Sequence, residues 1–226
     1  MGEYAIDRAE ALRYMGFRGQ ELDSRTLERI DAMSRECLRD AQPDYTWAVY
    51  DLERDEKGIR LHGTDVYLTG GDIAKHLDGA KKCALMAATL GHRCDLAVRR
   101  LEARSITDAV IYNACTVALI ESVSDRCQRE LGGRIAAEGL YVNGRYSPGY
   151  GDFPLDFQKA LLSLTGADIR LGITLTEGLL MLPRKSVTAV LGLFPEDGVS
   201  RSMGRGCRVC AMREFCEYRK SGEHCG

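Results

Sequence analysis

The sequence predicts an α+β fold: helices packed on a mainly antiparallel twisted sheet, followed by a short cysteine-rich, metal-binding tail. Three observations carry this. A 3.6-residue apolar period runs through the middle of the chain, the β-rich stretches fall in hairpin-like pairs without regular βαβ alternation, and four of the nine cysteines crowd into the last twenty residues. A chain of 226 residues with 45% hydrophobic and 28% charged residues has enough apolar material for one sizeable core. We place a domain at 1–194 and a linker with the cysteine tail at 195–226.

Asp7 to Tyr14 reads as a short helix stopped by Gly16. A longer one follows Asp23 and Ser24, with Leu27, Ile30, Met33 and Cys37 on one face and Arg25, Glu28, Arg29 and Arg35 on the other. Tyr45 to Leu52 and Gly58 to His62 read as a hairpin turning through Glu53–Lys57, with Trp47 in the core. Asp72 to Leu77 makes one or two helical turns, and Lys82 to Thr89 is a buried strand. From Asp108 to Leu131 the positions Val110, Ile111, Ala114, Val117, Ala118, Ile120, Val123 and Cys127 keep helical spacing, making this the central helix, with Glu121 close to its apolar stripe.

Gly132 to Asp152 holds six glycines and little periodicity, so it reads as a loop of tight turns. Pro154 to Leu164 reads as a helix with proline in its first turn. Ile173 to Met181 and Ser186 to Leu193 read as strands joined by the turn Pro183, Arg184, Lys185. Cys37, Cys83, Cys94, Cys115 and Cys127 sit singly in apolar or helical patterns and read as small core residues.

A net charge of -2 gives no bulk attraction to nucleic acid or to an anionic membrane surface. No apolar run reaches the roughly 18 to 20 residues of a membrane span, and the charged N-terminus lacks a secretory apolar region, so we expect a cytoplasmic protein. Neither GxGxxG after a strand nor GxxxxGK[ST] occurs, which removes support for the common nucleotide cradles. His62, His76 and His92 form no ligand pair. Asp65 and Asp72, flanking Gly70 and Gly71, are explained by turn chemistry.

The most informative stretch is Arg145, Tyr146, Ser147, Pro148, Gly149, Tyr150, Gly151, Asp152. Arginine offers a planar fork for a carboxylate, proline fixes one backbone angle, and glycine lets the chain approach a ligand closely. Tyr150 adds a ring that can stack or donate a hydrogen bond. A surface turn with Arg145 in an ordinary salt bridge accounts for the same residues, and residue types alone leave both readings open.

Arg145 through Gly149 to Tyr150 resembles the RxxxGY S-adenosylmethionine-binding motif of the cobalamin-dependent methionine synthase activation (reactivation) domain family. Downstream, Leu175, Thr176, Glu177, Met181, Pro183, Ser186 and Val187 are similar to that family's LTE, M, P, SV segment. Leu119, Ile120, Glu121 and Ser122 resemble the helix whose glutamate helps bind the cofactor. The resemblance covers Asp108 to Leu193 closely and the first hundred residues loosely.

It implies reactivation: cob(II)alamin on a methionine synthase is reduced by one electron and methylated by S-adenosylmethionine. By resemblance Arg145 takes the methionyl carboxylate, Glu121 the cofactor's polar groups, and Gly149 and Tyr150 the adenosine side, with Ser147 in the same segment. The chain lacks a DxHxxG cobalt-ligating motif, so the cobalamin would be presented by a separate methionine synthase or other corrinoid protein. The electron would come from a low-potential donor such as ferredoxin or flavodoxin. The alternative implied is a non-catalytic metal-binding adaptor, or S-adenosylmethionine sensor, that docks on a corrinoid protein.

Cys207, Cys210, Cys216 and Cys225 form CxxCx5Cx8C. Four soft ligands within nineteen residues suit tetrahedral zinc or an iron–sulfur cluster such as [4Fe-4S]. Cluster potentials reach roughly -700 mV, low enough to feed an electron to cob(II)alamin. Zinc would instead make a structural knuckle. The spacing is not the CxxxCxxC of radical S-adenosylmethionine enzymes.

Overall fold

The computed structural model describes residues 4–17 and 19–195. The sequence expectations for the cysteine tail, Cys207, Cys210, Cys216 and Cys225, lie outside these residues.

The first helices start where side-chain caps allow. Asp7 accepts the Ala9 amide at 2.8 Å to open α1 (Arg8–Tyr14), and Asp23 accepts the Thr26 amide at 2.6 Å to open α2 (Ser24–Asp40). β1 (Asp44–Asp55) turns back into β2 (Gly58–Leu61), as the hairpin expectation requires, and β2 pairs with the short β3 (Tyr67–Leu68). Trp47 departs from expectation: it is half-buried at the margin of the core and stacks on Tyr45 at 5.9 Å.

α3 (Gly71–His76) leads into β4 (Lys82–Thr89), buried along nearly its whole length. α4 (His92–Glu102) has no counterpart in the sequence reading. Its buried residues are only Cys94, Ala97 and Leu101, and Leu96 is exposed, so too few large apolar residues mark its period. α5 (Ile106–Ala136) begins at the Ser105 cap and overruns the expected end, passing straight through Gly132 and Gly133. Leu131 and Ile135 are buried on either side of those glycines, and that packing outweighs their weak helix propensity. α5 is the one described helix long and apolar enough to cross a membrane by length and composition. Much of its apolar surface is packed inside this fold, with Leu119, Val123 and Cys127 wholly buried.

β5 (Leu140–Val142) forms one edge of the sheet, and α6 (Phe157–Thr165) starts a turn later than expected because Pro154–Asp156 form its entry. Gly166, in the left-handed conformation that favours glycine, closes α6 and leads into α7 (Ala167–Arg170). The expected strand Ile173–Met181 is instead a small ribbon of its own: β6 (Thr174–Leu175) pairs with β7 (Met181–Leu182). The Thr176 amide donates to the Leu180 carbonyl at 2.9 Å and its hydroxyl accepts the Leu180 amide at 3.1 Å, so the chain folds back within the segment. β8 (Ser186–Pro195) pairs with β4 and β5.

The main sheet runs β3-β2-β1-β4-β8-β5, with every neighbouring pair antiparallel. β4 and β8 carry apolar residues on both faces because both faces are covered. Ala84, Met86, Ala189 and Leu191 pack under α2, α4 and α5, while Cys83, Leu85, Val190 and Phe194 pack against α3 and α6. The five single cysteines are all fully buried, as expected.

Candidate functional site

The polar stretch after β5 is pinned at several points. Asn143 is buried and joins three elements: its Nδ2 donates to the His76 carbonyl at 3.0 Å, its Oδ1 accepts the Gly192 amide at 2.7 Å, and its carbonyl accepts Gln128 Nε2 at 3.1 Å. Tyr146 exchanges two backbone hydrogen bonds with Val190 of β8. Loop residues on either side of these clamps therefore have fixed positions relative to α5 and α3.

Beyond Tyr146 the chain turns tightly. The Tyr150 amide donates to the Ser147 carbonyl at 3.2 Å, and the Gly149 amide donates to the Phe153 carbonyl at 2.9 Å. Gly149 has φ +93, which a side chain would strain, and a Cβ there would press on Leu155 at 3.1 Å. Gly151 is more constrained still: a Cβ would collide with Asp72 Oδ2 and come within 2.8 Å of the Tyr146 hydroxyl. Glycine is needed there because the loop lies directly on α3.

Asp152 holds that contact. Its carboxylate accepts the Gly71 amide at 2.6 Å and the Asp72 amide at 2.9 Å, capping the start of α3 from a distant part of the chain. The amides of Asp72 and Gly71 push its pKa below the usual aspartate value. Beneath the loop, the His76 ring lies 5.0 Å from the Tyr146 ring, and its Nε2 is buried with no hydrogen-bond partner among the described residues. Burial lowers the His76 pKa to about 4, opposed by the carbonyls of Val190 and Gly144, so the imidazole is neutral at physiological pH.

Arg145 crosses from the loop to α5. Its Nη2 donates to Glu121 Oε2 at 2.7 Å, and its Nη1 donates to Asp125 Oδ1 at 2.6 Å and to Gln128 Oε1 at 3.4 Å. Glu121, Asp125 and Gln128 are one helical turn apart in succession, which is why one guanidinium reaches all three. The Arg145 side chain is 20% exposed, against 41% for Glu121 and 54% for Asp125, so the carboxylates present more surface than the cation. Asp125 and Gln128 also line a groove of about 420 Å³ that runs toward Leu140 and Tyr141. Tyr150 stands 65% exposed above the loop, its ring 6.3 Å from that of Tyr146.

The structure therefore joins Glu121 directly to Arg145 and sets Ser147, Gly149 and Tyr150 on the adjoining turn. Asp125, Gln128 and Asn143 had no place in the sequence reading, and Asp152 and His76 were named there without the roles they take. A signal existed for Asp125 and Gln128, which share the face of Glu121 at i+4 and i+7; none existed for Asp152 or His76, whose roles depend on α3 packing under the loop. Among the described residues, no three His, Cys, Asp or Glu side chains gather as a metal-binding group.

Comparison with family models finds no match, and no curated protein matches. Among solved structures, the chain is similar to the MetH reactivation domain bound to AdoHcy. The likeness has a TM-score of 0.64 at 15% identity and covers 96% of this chain and 82% of that one. At that identity the likeness is one of architecture: this chain has the fold of the MetH reactivation domain.

Proposed function

We propose that this protein binds S-adenosylmethionine at the Arg145 loop and serves the reductive methylation of cob(II)alamin carried by a separate methionine synthase. The observation that carries this reading is the meeting of Arg145 with Glu121 and Asp125 beside the Ser147–Tyr150 turn, in a fold shared with a reactivation domain bound to AdoHcy.

The charges of the site suit the donor. One guanidinium and two carboxylates sum to -1, while S-adenosylmethionine carries one carboxylate, one ammonium and one sulfonium, summing to +1. A ligand carboxylate taken by the Arg145 fork releases Glu121 and Asp125 to face the ammonium and the sulfonium, so every charge keeps an opposite partner. Bound there, the donor supplies a methyl group activated by its sulfonium. Tyr150 offers an exposed ring to the adenosine side, and the turn at Gly149 offers backbone that no Cβ screens. The protein's part is to orient, since methyl transfer needs a collinear approach at near-attack distance and no general base. The cysteine tail, read as an iron–sulfur or zinc site, would bring the electron or dock the partner.

The test mixes the full-length protein with a cob(II)alamin-loaded methionine synthase, S-adenosylmethionine and a low-potential reductant, and follows the methylcobalamin spectrum. The spectrum should form with the parent and fail with Arg145→Ala. If calorimetry detects no binding of S-adenosylmethionine, or if Arg145→Ala binds it as well as the parent, the reading is wrong. Binding without methylcobalamin formation would leave the sensor or adaptor role.

A further inference from the structure

We infer that a second cleft, between α4, the first turns of α5 and the turn joining β7 to β8, binds a small organic anion bearing phosphate or several carboxylates. This inference does not depend on the proposed function. The cleft measures about 600 Å³, within the range of small-molecule sites, and lies toward the opposite end of α5 from Asp125 and Gln128.

Its lining combines three cations with an apolar wall. Arg99, Arg184 and Lys185 all face it, and none forms an ion pair with a carboxylate among the described residues. Elsewhere the structure pairs its arginines readily: Arg29 with Asp108, Arg100 with Glu36, and Arg145 with Glu121 and Asp125. Lys185 is anchored through a neutral partner, its Nζ donating to Asn113 Oδ1 at 2.8 Å. An amide oxygen fixes the position of the ammonium without neutralising it.

Two carboxylates also line the cleft. Asp95 already accepts the backbone amide of Arg184 at 2.8 Å, which holds the turn against the start of α4, and Glu102 is the other. Three cations against two carboxylates leave the lining one positive charge in excess. Ile106 and Val110 are 66% and 53% exposed on the same cleft, giving an apolar surface for the carbon skeleton of a ligand whose anionic groups reach the cations. Burial and the neighbouring Arg184 lower the Lys185 pKa against the opposing charge of Asp95, and a bound anion would raise it, so binding should take up protons where the free lysine titrates.

The experiment titrates full-length protein at low ionic strength with inorganic pyrophosphate and, in a separate arm, with citrate, following calorimetric heat and amide NMR shifts. The pyrophosphate arm distinguishes phosphate from polycarboxylate chemistry. We expect saturable binding of at least one probe, with shifts confined to Asp95–Asn113 and Arg184–Lys185. Binding should weaken at least tenfold in Lys185→Met and in Arg184→Ala, and be unchanged in Arg145→Ala. Absence of saturable binding by both probes would overturn the inference. So would equal affinity in Lys185→Met and Arg184→Ala, or loss of binding in Arg145→Ala, which would assign the heat to the other site.

Discussion

Helix α5 serves two polar regions in opposite ways. Toward its C-terminal half, Glu121, Asp125 and Gln128 surround one cation, Arg145, and the local charge is negative. Near its N-terminus, Asn113 faces Lys185, and the cations of that cleft have no carboxylate partners among the described residues. One helix can carry both because residues three, four and seven apart share a face, while its first turns and its middle lie beside different loops. The difference teaches that local charge is set by which loop crosses the helix, not by the helix alone.

The largest effect should come from breaking what the two regions share. Leu119 is fully buried on α5, and Leu119→Ala should cost about 2–5 kcal/mol of stability. Chemical denaturation should show it, and binding at both regions should fall together in proportion to the unfolded fraction. A loss confined to one region would mean that α5 is not their common scaffold.

Next, Arg145→Ala should separate them. It leaves Glu121 and Asp125 side by side without their cation, costs about 1 kcal/mol of stability, and weakens S-adenosylmethionine binding at least tenfold. Calorimetry against the pyrophosphate and citrate titrations in the same variant measures that separation directly.

A smaller effect is expected from Asp152→Asn, which weakens the clamp between the Arg145 loop and α3 while keeping nearly the same shape. The amides of Gly71 and Asp72 should exchange faster with solvent, and donor affinity should fall several-fold. In the parent, the lowered carboxylate pKa means the clamp is intact at neutral pH and is lost only as acidification passes below the ordinary aspartate range. Hydrogen exchange followed against pH should show that loss in the parent and not in the variant.

The smallest effect is a slope. His76 titrates at about 4 in the folded protein against an ordinary 6.5, so as pH falls through that interval the unfolded chain takes up a proton that the folded chain refuses. Stability should decline between about pH 6.5 and 4 and this contribution should then level off. His76→Leu should flatten that part of the curve, as read from denaturation midpoints.

Much of this architecture was legible in the residues. The spacing from Val110 to Cys127 marked the central helix, the small apolar run Lys82–Thr89 marked a buried strand, and a resemblance centred on Arg145, Gly149 and Tyr150 assigned Arg145 and Glu121 to one site, though not to direct contact with each other. α4 escaped notice because a helix that buries Cys94, Ala97 and Leu101 leaves a faint apolar signature. The ribbon β6–β7 escaped because a fold-back inside nine residues is set by the bonds between Thr176 and Leu180 rather than by alternation.

The sequence by itself determined the periodic elements, the burial of the single cysteines and the chemistry available on the Arg145 loop, because these depend on side-chain type and local spacing. Only the tertiary structure decided that Asp152 caps α3 from some eighty residues away, that His76 is neutral beneath Tyr146, and that Lys185 meets Asn113 instead of a carboxylate. Each of those depends on distances between elements remote in the chain, and electrostatics and hydrogen bonding respond to distance and burial, which no local pattern encodes.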